Sequence, residues 1–270
     1  MKDLKYKLIV SDFDDTLVPL PTKVDGYTVG VIKEYIKRGG LFTIATGRMT
    51  PGILSNIGDI PINAPLITYQ GAKIIDLKTR KTLFHSPVER DTATELLAHL
   101  QKRNIAVNVY CDDVLYLARV YPFTDLYCKV NNIGYEIFPD LAALPRDLGK
   151  ECSKILCTLT PEDAKRMEIE YSLLYGDRLS VTRSSATYLE FTSLLATKGQ
   201  SVKKVADMYN VPRESVMCFG DSTNDISMIA YAGHGVAVGN AMSEVKEAAD
   251  EVCQSSKELG VAKTIEKYCL

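Results

Sequence analysis

Strand-like apolar runs alternate with helical patterns at both ends of this chain, and this alternation constrains the fold more than any other feature. At the N-terminal end, strands at 7–11, 41–45 and 66–69 surround a helix near 28–38. From Tyr188 onward the predicted elements are a helix near 199–209, a strand at 215–219, a helix near 224–232, a strand at 235–238, and helices near 243–249 and 257–268. This order predicts an α/β fold with a doubly wound parallel sheet.

The middle of the chain has a different pattern, because its strands come in hairpins. The predicted hairpins cover 73–85 and 105–120, with a helix near 90–103 between them. After the second hairpin come helices near 123–132 and 161–174 and strands near 154–159 and 178–183. Hairpins imply antiparallel pairing, so this section is predicted to be α+β. The simplest organisation is a discontinuous core, residues 1–82 and 187–270, with an inserted domain at 83–186.

The composition is that of an ordinary globular protein, and it excludes several classes of partner. The 270 residues are 46% hydrophobic with a formal net charge of -2, which gives no reason to expect nucleic acid or an anionic membrane as a partner. No apolar run approaches the roughly 20 residues that span a bilayer, and the N-terminus is unlike a signal peptide. Seven cysteines without C-x-x-C spacing predict reduced, mostly buried thiols. We expect a cytoplasmic protein that is a monomer or a weak homodimer.

Two carboxylates mark the end of the first predicted strand. Asp12 and Asp14 follow the apolar run Leu8-Ile9-Val10. Side chains in a strand repeat every second residue, so both carboxylates are expected to face the same way. They would then share a site at the carboxyl end of a strand, where open α/β sheets bind their ligands. Two like charges so close together require a proton or a cation, and Mg2+ is the usual hard cation for carboxylates.

Three later segments place polar groups where predicted strands end or helices begin. They carry Thr46 and Gly47, then Lys198, and then Asp221, Asn224 and Asp225. A threonine hydroxyl and a glycine amide can hold oxyanions, and a helix N-terminus that carries a lysine also favours anions. A carboxylate cluster for a cation, donors for oxyanions and a lysine are together the parts that phosphoryl transfer needs.

Four motifs in this order resemble the haloacid dehalogenase superfamily, and within it the Cof-type, sugar-phosphatase-like hydrolases. The motifs are Asp-Phe-Asp-Asp-Thr-Leu at 12–17, Ala-Thr-Gly-Arg at 45–48, Thr-Lys-Gly at 197–199 and Gly-Asp-Ser-Thr-Asn-Asp at 220–225. The resemblance covers the whole chain. It implies a Rossmann-like core and an α/β cap, at about 83–186, that lies over the active site and carries substrate specificity.

The resemblance also implies a role for each residue that handles the phosphoryl group. Asp12 would be the nucleophile, forming an aspartyl-phosphate. Asp14 would first protonate the leaving alcohol and then activate water. Thr46 and Lys198 would hold the oxygens of the transferring group, with the Gly47 amide nearby. The implied activity is Mg2+-dependent hydrolysis of a small phosphorylated metabolite, such as a sugar phosphate.

The same resemblance implies a metal site and one further contact. Mg2+ would be bound by Asp12, by the backbone carbonyl of Asp14 and by Asp221. Asp225 would order the waters of the metal or the lysine of the third motif. Asn224 would contact the phosphate or the rest of the substrate.

Two positions depart from the usual pattern of the family. Asp15 stands where many members have glycine, and it adds negative charge beside the site. If side chains alternate, Asp15 points away from Asp12 and Asp14. Gln70 stands where the family usually has the Asn of an Asn-Gly pair, and the contact made by that Asn is not carried over to it.

Other functions remain open at the level of the sequence. A phosphomutase would discharge the same aspartyl-phosphate to a second sugar hydroxyl instead of water. A phospho-receiver module also combines an Asp cluster, a Thr and a Lys with Mg2+, but it is about half this length and has no large insertion. A catalytically inactive binding protein would be expected to lack a motif residue, and none is missing here. The identity of the substrate and the cap residues that contact it do not follow from the sequence.

Overall fold

The computed structural model describes residues 4–270, which form two compact units. The core unit comprises residues 4–46, Ile57–Leu83 and Thr197–Leu270, and the inserted unit comprises Gly47–Asn56 and Phe84–Ala196. The strands are β1 (Leu8–Ser11), β2 (Leu41–Ile44), β3 (Leu66–Thr68), β4 (Lys73–Ile75), β5 (Thr82–His85), β6 (Ala106–Cys111), β7 (Val114–Leu117), β8 (Glu136–Ile137), β9 (Cys152–Thr158), β10 (Leu179–Arg183), β11 (Tyr188–Ser193), β12 (Val216–Gly220), β13 (His234–Ala237) and β14 (Glu251–Val252). The helices are α1 (Gly26–Lys37), α2 (Thr50–Asn56), α3 (Arg90–Lys102), α4 (Thr124–Asn131), α5 (Ala143–Arg146), α6 (Pro161–Tyr175), α7 (Lys198–Met208), α8 (Ile226–Tyr231), α9 (Ser243–Ala248) and α10 (Gly260–Cys269).

The core unit contains a five-stranded parallel sheet in the order β14-β13-β12-β1-β2. The chain runs from β1 to β2 on one side and returns much later to β12 on the other side of β1. The strand order therefore reverses between β1 and β12, and such a switch point is where open α/β sheets bind their ligands. Asp12 and Asp221 are the residues that directly follow these two strands.

The apolar sequence of β1 follows from its position in this sheet. All four of its residues, Leu-Ile-Val-Ser, are buried, as expected for a strand of a parallel sheet that is covered on both faces. β3 continues beyond β2 through a single parallel bridge between Ala45 and Ile67, and it then forms a small separate sheet with β4 and β5. The doubly wound parallel core predicted from the sequence is confirmed.

The inserted unit is built on a six-stranded sheet in the order β10-β11-β9-β6-β7-β8. Its strands pair antiparallel except for β7 with β8. One face of the sheet, with Val107 and Val109, packs in a hydrophobic core with Leu96 of α3 and Tyr171 of α6. The unit is thus the α+β insertion expected from the hairpin pattern.

β11 lies in the inserted unit, whereas the sequence pattern places residues from 187 onward in the core. The pattern assigns residues from Tyr188 onward to the parallel core, but β11 pairs antiparallel with β9 and β10. This assignment is wrong, because a short apolar strand does not reveal which sheet it joins. The compact units accordingly divide at Ala196 and Thr197, whereas the sequence interpretation divided the chain at 186 and 187.

Several short elements were not predicted. α2 contains Pro51 and Gly52, which are poor helix formers, and the periodicity of so short a segment is weak. α5 and β8 are only four and two residues long. The predicted strand at 114–120 ends at Leu117. The predicted helix near 224–232 begins as a 3-10 turn at Thr223–Asp225 and continues as α8.

Candidate active site

The loop after β1 carries Asp12 into the buried interior of the core unit. The backbone N–H of Asp12 donates to the Phe219 carbonyl of β12 at 2.9 Å, and the residue is only 7% exposed. β1 itself ends at Ser11, so strand alternation does not govern the orientation of Asp12 and Asp14, contrary to the sequence argument. Asp14 instead forms an isolated bridge with Val18. The two carboxylates are still close enough for the charge of Asp14 to act on Asp12.

Lys198 is the first residue of α7 and lies between two carboxylates. Its Nζ donates to Asp12 Oδ1 and to Asp225 Oδ1, each at 2.6 Å, and the side chain is 1% exposed. Thr197 caps the helix by accepting from the Gln200 N–H at 3.2 Å. Burial disfavours the charge on Lys198, but Asp12 and Asp225 outweigh it and raise the pKa of Lys198 above its usual value. The lysine is therefore a fixed cation that joins the first and fourth motifs.

The loop after β12 places Asp221 and Asp225 beside this lysine. Asp225 is fully buried, and its Oδ2 accepts from the backbone N–H groups of Asp221 at 2.9 Å and Ser222 at 3.0 Å. Asp221 accepts from the Thr16 hydroxyl at 2.6 Å and from the Ser222 hydroxyl at 2.9 Å. Since Asp225 binds Lys198 with one oxygen and the loop backbone with the other, its contacts favour the ordering of Lys198 over direct metal binding.

Asp12, Asp221 and Asp225 form an acidic triad that could hold a metal ion. One oxygen from each lies within 4.8 Å of the others. Burial raises the pKa of Asp12, and the charges of Asp225, Asp221 and Asp14 raise it further, although Lys198 opposes them. Burial and then the charge of Asp225 raise the pKa of Asp221 to about 6. Two buried carboxylates and one half-buried carboxylate lie close to a single lysine and are short of positive charge, so the donor set fits a hard cation that prefers oxygen ligands.

The second motif begins in the core unit and ends in the inserted unit. The backbone N–H of Thr46 donates to the Ile67 carbonyl at 3.0 Å, and the residue is 1% exposed. Gly47 belongs to the inserted unit, where its carbonyl accepts from Lys154 Nζ at 2.8 Å. Thr46 is therefore anchored in the core unit beside β3, and the chain passes into the inserted unit directly after it.

Asn224 and Gln70 are joined by their side chains. Asn224 Nδ2 donates to Gln70 Oε1 at 2.8 Å. Gln70 has a φ of 59° in the 3-10 turn that follows β3, and it is 7% exposed. The position that departs from the family pattern is therefore occupied by a buried side chain that contacts a motif residue. The sequence alone predicts no contact for Gln70.

Lys154 is a second buried cation, and its role does not follow from the sequence motifs. Besides Gly47, its Nζ contacts Glu190 Oε1 at 3.3 Å, and the two side chains are 4% and 6% exposed. Ser184 donates to the same carboxylate oxygen at 2.7 Å. The available signal was one charged residue in each of two otherwise uncharged strands, β9 and β11, because buried charges are rarely present without partners.

Gly199 allows α7 and α8 to approach closely enough to hold Lys198 in place. A Cβ on Gly199 would collide with the Ser227 carbonyl oxygen, and the Gly199 N–H donates to the Ser227 hydroxyl at 3.1 Å. We expect Gly199→Ala to lower the free energy of unfolding by about 1–3 kcal/mol, as overpacking does, and to lower activity by displacing Lys198. Thermal unfolding and phosphate release measure both effects.

Gly30→Ala is the matched control for this substitution. Gly30 lies in the interior of α1, and a Cβ there would meet nothing within 4 Å. Alanine is the better helix former by about 1 kcal/mol, so this variant should be as stable as the wild type or more stable. Equal stability of the two variants would show that the α7–α8 approach is not tight.

Within residues 4–270, no helix is both long enough and apolar enough to cross a membrane. All seven cysteines are free, and all but Cys253 are buried, as the sequence predicts.

A comparison with known protein families identifies the family that has this fold and these four motifs. A model of the haloacid dehalogenase-like hydrolase family matches residues 9–265, and the chain therefore belongs to this family. It is a phosphatase of the haloacid dehalogenase type, that is, a phosphoric monoester hydrolase. The resemblance inferred from the sequence motifs is confirmed.

Individual relatives cover nearly the whole chain. One of the 5-amino-6-(5-phospho-D-ribitylamino)uracil phosphatases of Bacillus subtilis is 28% identical over 283 residues, which cover 97% of each chain. The crystal structure of a haloacid dehalogenase-like hydrolase from Bacteroides thetaiotaomicron is 25% identical, with a TM-score of 0.85 over 97% of this chain and 99% of that one. A Thermotoga maritima protein of known crystal structure is 27% identical, with a TM-score of 0.83 over 98% of both chains.

Proposed function

We propose that this protein is a Mg2+-dependent phosphatase that hydrolyses a small phosphorylated metabolite through an aspartyl-phosphate on Asp12. The observation that carries the proposal is the buried arrangement of Lys198 between Asp12 and Asp225, with Asp221 completing an acidic triad. A fixed cation beside a carboxylate at the carboxyl end of a strand can hold the phosphoryl oxygens while that carboxylate attacks.

The first half of the reaction is the transfer of the phosphoryl group to Asp12. A carboxylate oxygen of Asp12 forms a bond to phosphorus as the bond from phosphorus to the substrate oxygen breaks. Asp14 donates its proton to that leaving oxygen, which departs as the alcohol. Thr46, Lys198 and the Gly47 amide hold the oxygens of the transferring group.

The second half returns the enzyme to its starting state. Asp14, now ionised, takes a proton from water as the water oxygen bonds to phosphorus. The bond between phosphorus and the Asp12 carboxylate oxygen breaks, which releases inorganic phosphate and restores the Asp12 carboxylate and the protonated Asp14. Asp225 keeps Lys198 in place through both halves. In this scheme Asp12, the backbone carbonyl of Asp14 and Asp221 would hold Mg2+, and a bound Mg2+ would neutralise negative charge on the transferring group.

The inserted unit is proposed to act as the cap that selects the substrate, since all the proposed chemical groups except Gly47 lie in the core unit. Relatives named as phosphatases of 5-amino-6-(5-phospho-D-ribitylamino)uracil make that compound a member of the substrate panel. The rest of the panel comprises sugar phosphates, nucleotides, flavin mononucleotide and pyridoxal phosphate, each scored by phosphate release with Mg2+. A hexose 1-phosphate that gives its isomer without free phosphate would instead identify a phosphomutase.

The metal can be tested by its effect on unfolding. With a dissociation constant near 0.1 mM, 10 mM Mg2+ would stabilise the folded protein by about 2.7 kcal/mol, or roughly 5–10 °C in the unfolding midpoint. Because burial and Asp225 raise the pKa of Asp221 to about 6, protons compete with the cation below that pH. The shift should therefore be large at pH 7.5 and much smaller at pH 5.

Stabilisation by Mg2+ should grow as the pH rises, whereas without metal Asp221 should lower the free energy of unfolding as the pH rises. Its pKa is raised in the folded state, so its contribution to the free energy of unfolding falls as the pH rises from 3.8 to about 6. Asp221→Asn should therefore stabilise the metal-free protein at pH 7.5 and abolish the response to Mg2+. Asp15→Asn is the control, since Asp15 accepts from the Leu20 N–H outside the triad. An equal Mg2+ shift in both variants would argue against the site.

A further inference from the structure

The turn after β3 is held in an unusual backbone conformation. Tyr69, Gln70 and Gly71 have φ values of 52°, 59° and 102°, three consecutive residues in the left-handed region. For residues other than glycine, such conformations cost of order 1–3 kcal/mol each, and they persist where the surrounding structure holds them. Both Tyr69 and Gln70 are buried. The turn therefore has a conformation that is not explained by local preference.

The contacts of this turn join three segments of the proposed active site. The Gln70 N–H donates to the Thr46 carbonyl at 3.1 Å. Because the C=O and N–H of a trans peptide point in opposite directions, this bond also fixes the direction of the amide N–H that follows Thr46. Ser201 of α7 donates to the Gly71 carbonyl at 2.7 Å, and a Cβ on Gly71 would collide with the Thr197 carbonyl. The Gln70 side chain makes the third contact, to Asn224.

The contact with Gln70 orients the Asn224 amide and uses one of the two N–H donors of its Nδ2. Asn224 Nδ2 is engaged by Gln70 Oε1, and Asn224 Oδ1 is buried with no hydrogen-bond partner among residues 4–270. Such a buried acceptor in a native protein requires an explanation. A phosphate monoester dianion has only acceptor oxygens, so it cannot satisfy Asn224 Oδ1. The group that does so must be a donor, such as a substrate hydroxyl or a water on the cation.

We propose that Gln70 is a positioning residue that turns the Asn224 amide so that its carbonyl oxygen accepts a hydrogen bond from a donor in the Michaelis complex. The proposal rests on the proposed function and narrows the contact that the family resemblance implied for Asn224, which was to the phosphate or to the rest of the substrate. Asn224 then recognises a hydroxyl of the leaving group or a metal-bound water, and the phosphoryl oxygens are left to Thr46, Lys198 and the Gly47 amide.

A double-mutant cycle with Gln70→Gly and Asn224→Ala tests the coupling. Glycine adopts a φ of 59° without strain and keeps the backbone N–H that donates to Thr46, so Gln70→Gly removes only the side chain. Its unfolding midpoint should not fall. We expect kcat/KM to drop about 3- to 10-fold in the wild-type background, the size of one hydrogen bond. In the Asn224→Ala background the same change should cost less than about 2-fold. An equal loss in both backgrounds would overturn the proposal.

The side-chain NMR signal of Asn224 provides a readout that does not depend on activity. The signal is identified by its loss in Asn224→Ala, and it should shift in Gln70→Gly, where the amide has lost its acceptor. Gln70→Glu keeps an acceptor oxygen at the same reach and should retain the wild-type signal. A signal unchanged by Gln70→Gly would also overturn the proposal. If the wild type releases no phosphate from any substrate, the proposed function fails while this measurement still reports on Gln70.

Two substrates distinguish the sources of the donor. 4-Nitrophenyl phosphate has no hydroxyl in its leaving group, whereas a sugar phosphate has several. A loss in Asn224→Ala confined to the sugar phosphate would assign the donor to a substrate hydroxyl, and an equal loss with both substrates would assign it to a water on the cation. A loss of affinity for inorganic phosphate itself would show that Asn224 binds phosphate through its NH2 group, and would overturn the assignment.

Discussion

Asp12→Asn is expected to lower phosphate release by a factor on the order of 10^4 or more while leaving the fold intact, because it removes the nucleophile. Asparagine has the same shape, and its Oδ1 can still accept the hydrogen bond from Lys198 that Asp12 accepts at 2.6 Å. The substitution also removes one of the buried carboxylates that repel each other, so the unfolding midpoint of the metal-free protein should not fall. The measurements are phosphate release with Mg2+ and thermal unfolding without it.

Asp15→Asn is the matched control for this variant. It removes a carboxylate three residues along the same loop, and its Oδ1 can still accept from the Leu20 N–H at 3.0 Å. The activity of this control should be close to that of the wild type. Turnover by Asp12→Asn within tenfold of the wild type would rule out covalent catalysis by Asp12.

Lys198→Met should affect both stability and catalysis. The lysine is buried between Asp12 and Asp225, and removal of one partner from a buried ion pair costs about 3–5 kcal/mol, since it leaves uncompensated charge. Because the pKa of Lys198 is raised in the folded state, its stabilising contribution is complete at neutral pH and is lost only at strongly alkaline pH. The loss should therefore appear in urea unfolding at pH 7.5. Phosphate release should fall by a factor on the order of 10^3, as expected when a preorganised donor is lost.

Lys203→Met is the control on the same helix. Lys203 contacts Asp207 at 2.7 Å, but both side chains are more than half exposed, and such pairs contribute at most about 0.5 kcal/mol. This variant should be nearly as stable and as active as the wild type. An equal loss in the free energy of unfolding for the two methionine variants would show that the charge of Lys198 does not stabilise the carboxylates around it.

The parallel core could be predicted because its signals are local. The apolar run of β1 and the helical period of α7 are each contained in one segment, and their alternation sets the topology. The position of β11 could not be predicted, because its six residues suit either sheet and only pairing with β9 and β10 decides. The short α2 was missed for a related reason, since Pro51 and Gly52 oppose helix formation locally.

Part of the site could be predicted, because residues that follow neighbouring parallel strands lie close together at one edge of the sheet. The sequence placed Asp12, Asp221 and Lys198 near one another, and the structure brings their loops together at the switch point. It did not reveal that Lys198 binds both Asp12 and Asp225, because that depends on the close approach of α7 and α8 at Gly199. Nor did it reveal the contact of Gln70 with Asn224, which are 154 positions apart in the chain.

The division of the chain after Thr46 has a consequence for exchanging substrate specificity between relatives. Gly47–Asn56 belongs with the inserted unit, and its first carbonyl is bound by Lys154 of β9. A chimera that transplants only residues 84–196 would leave this carbonyl facing a foreign strand. The transplantable module therefore consists of two pieces of sequence, and the shorter piece begins one residue after a proposed phosphate-binding threonine. Any exchange of this module has its first splice inside the second motif.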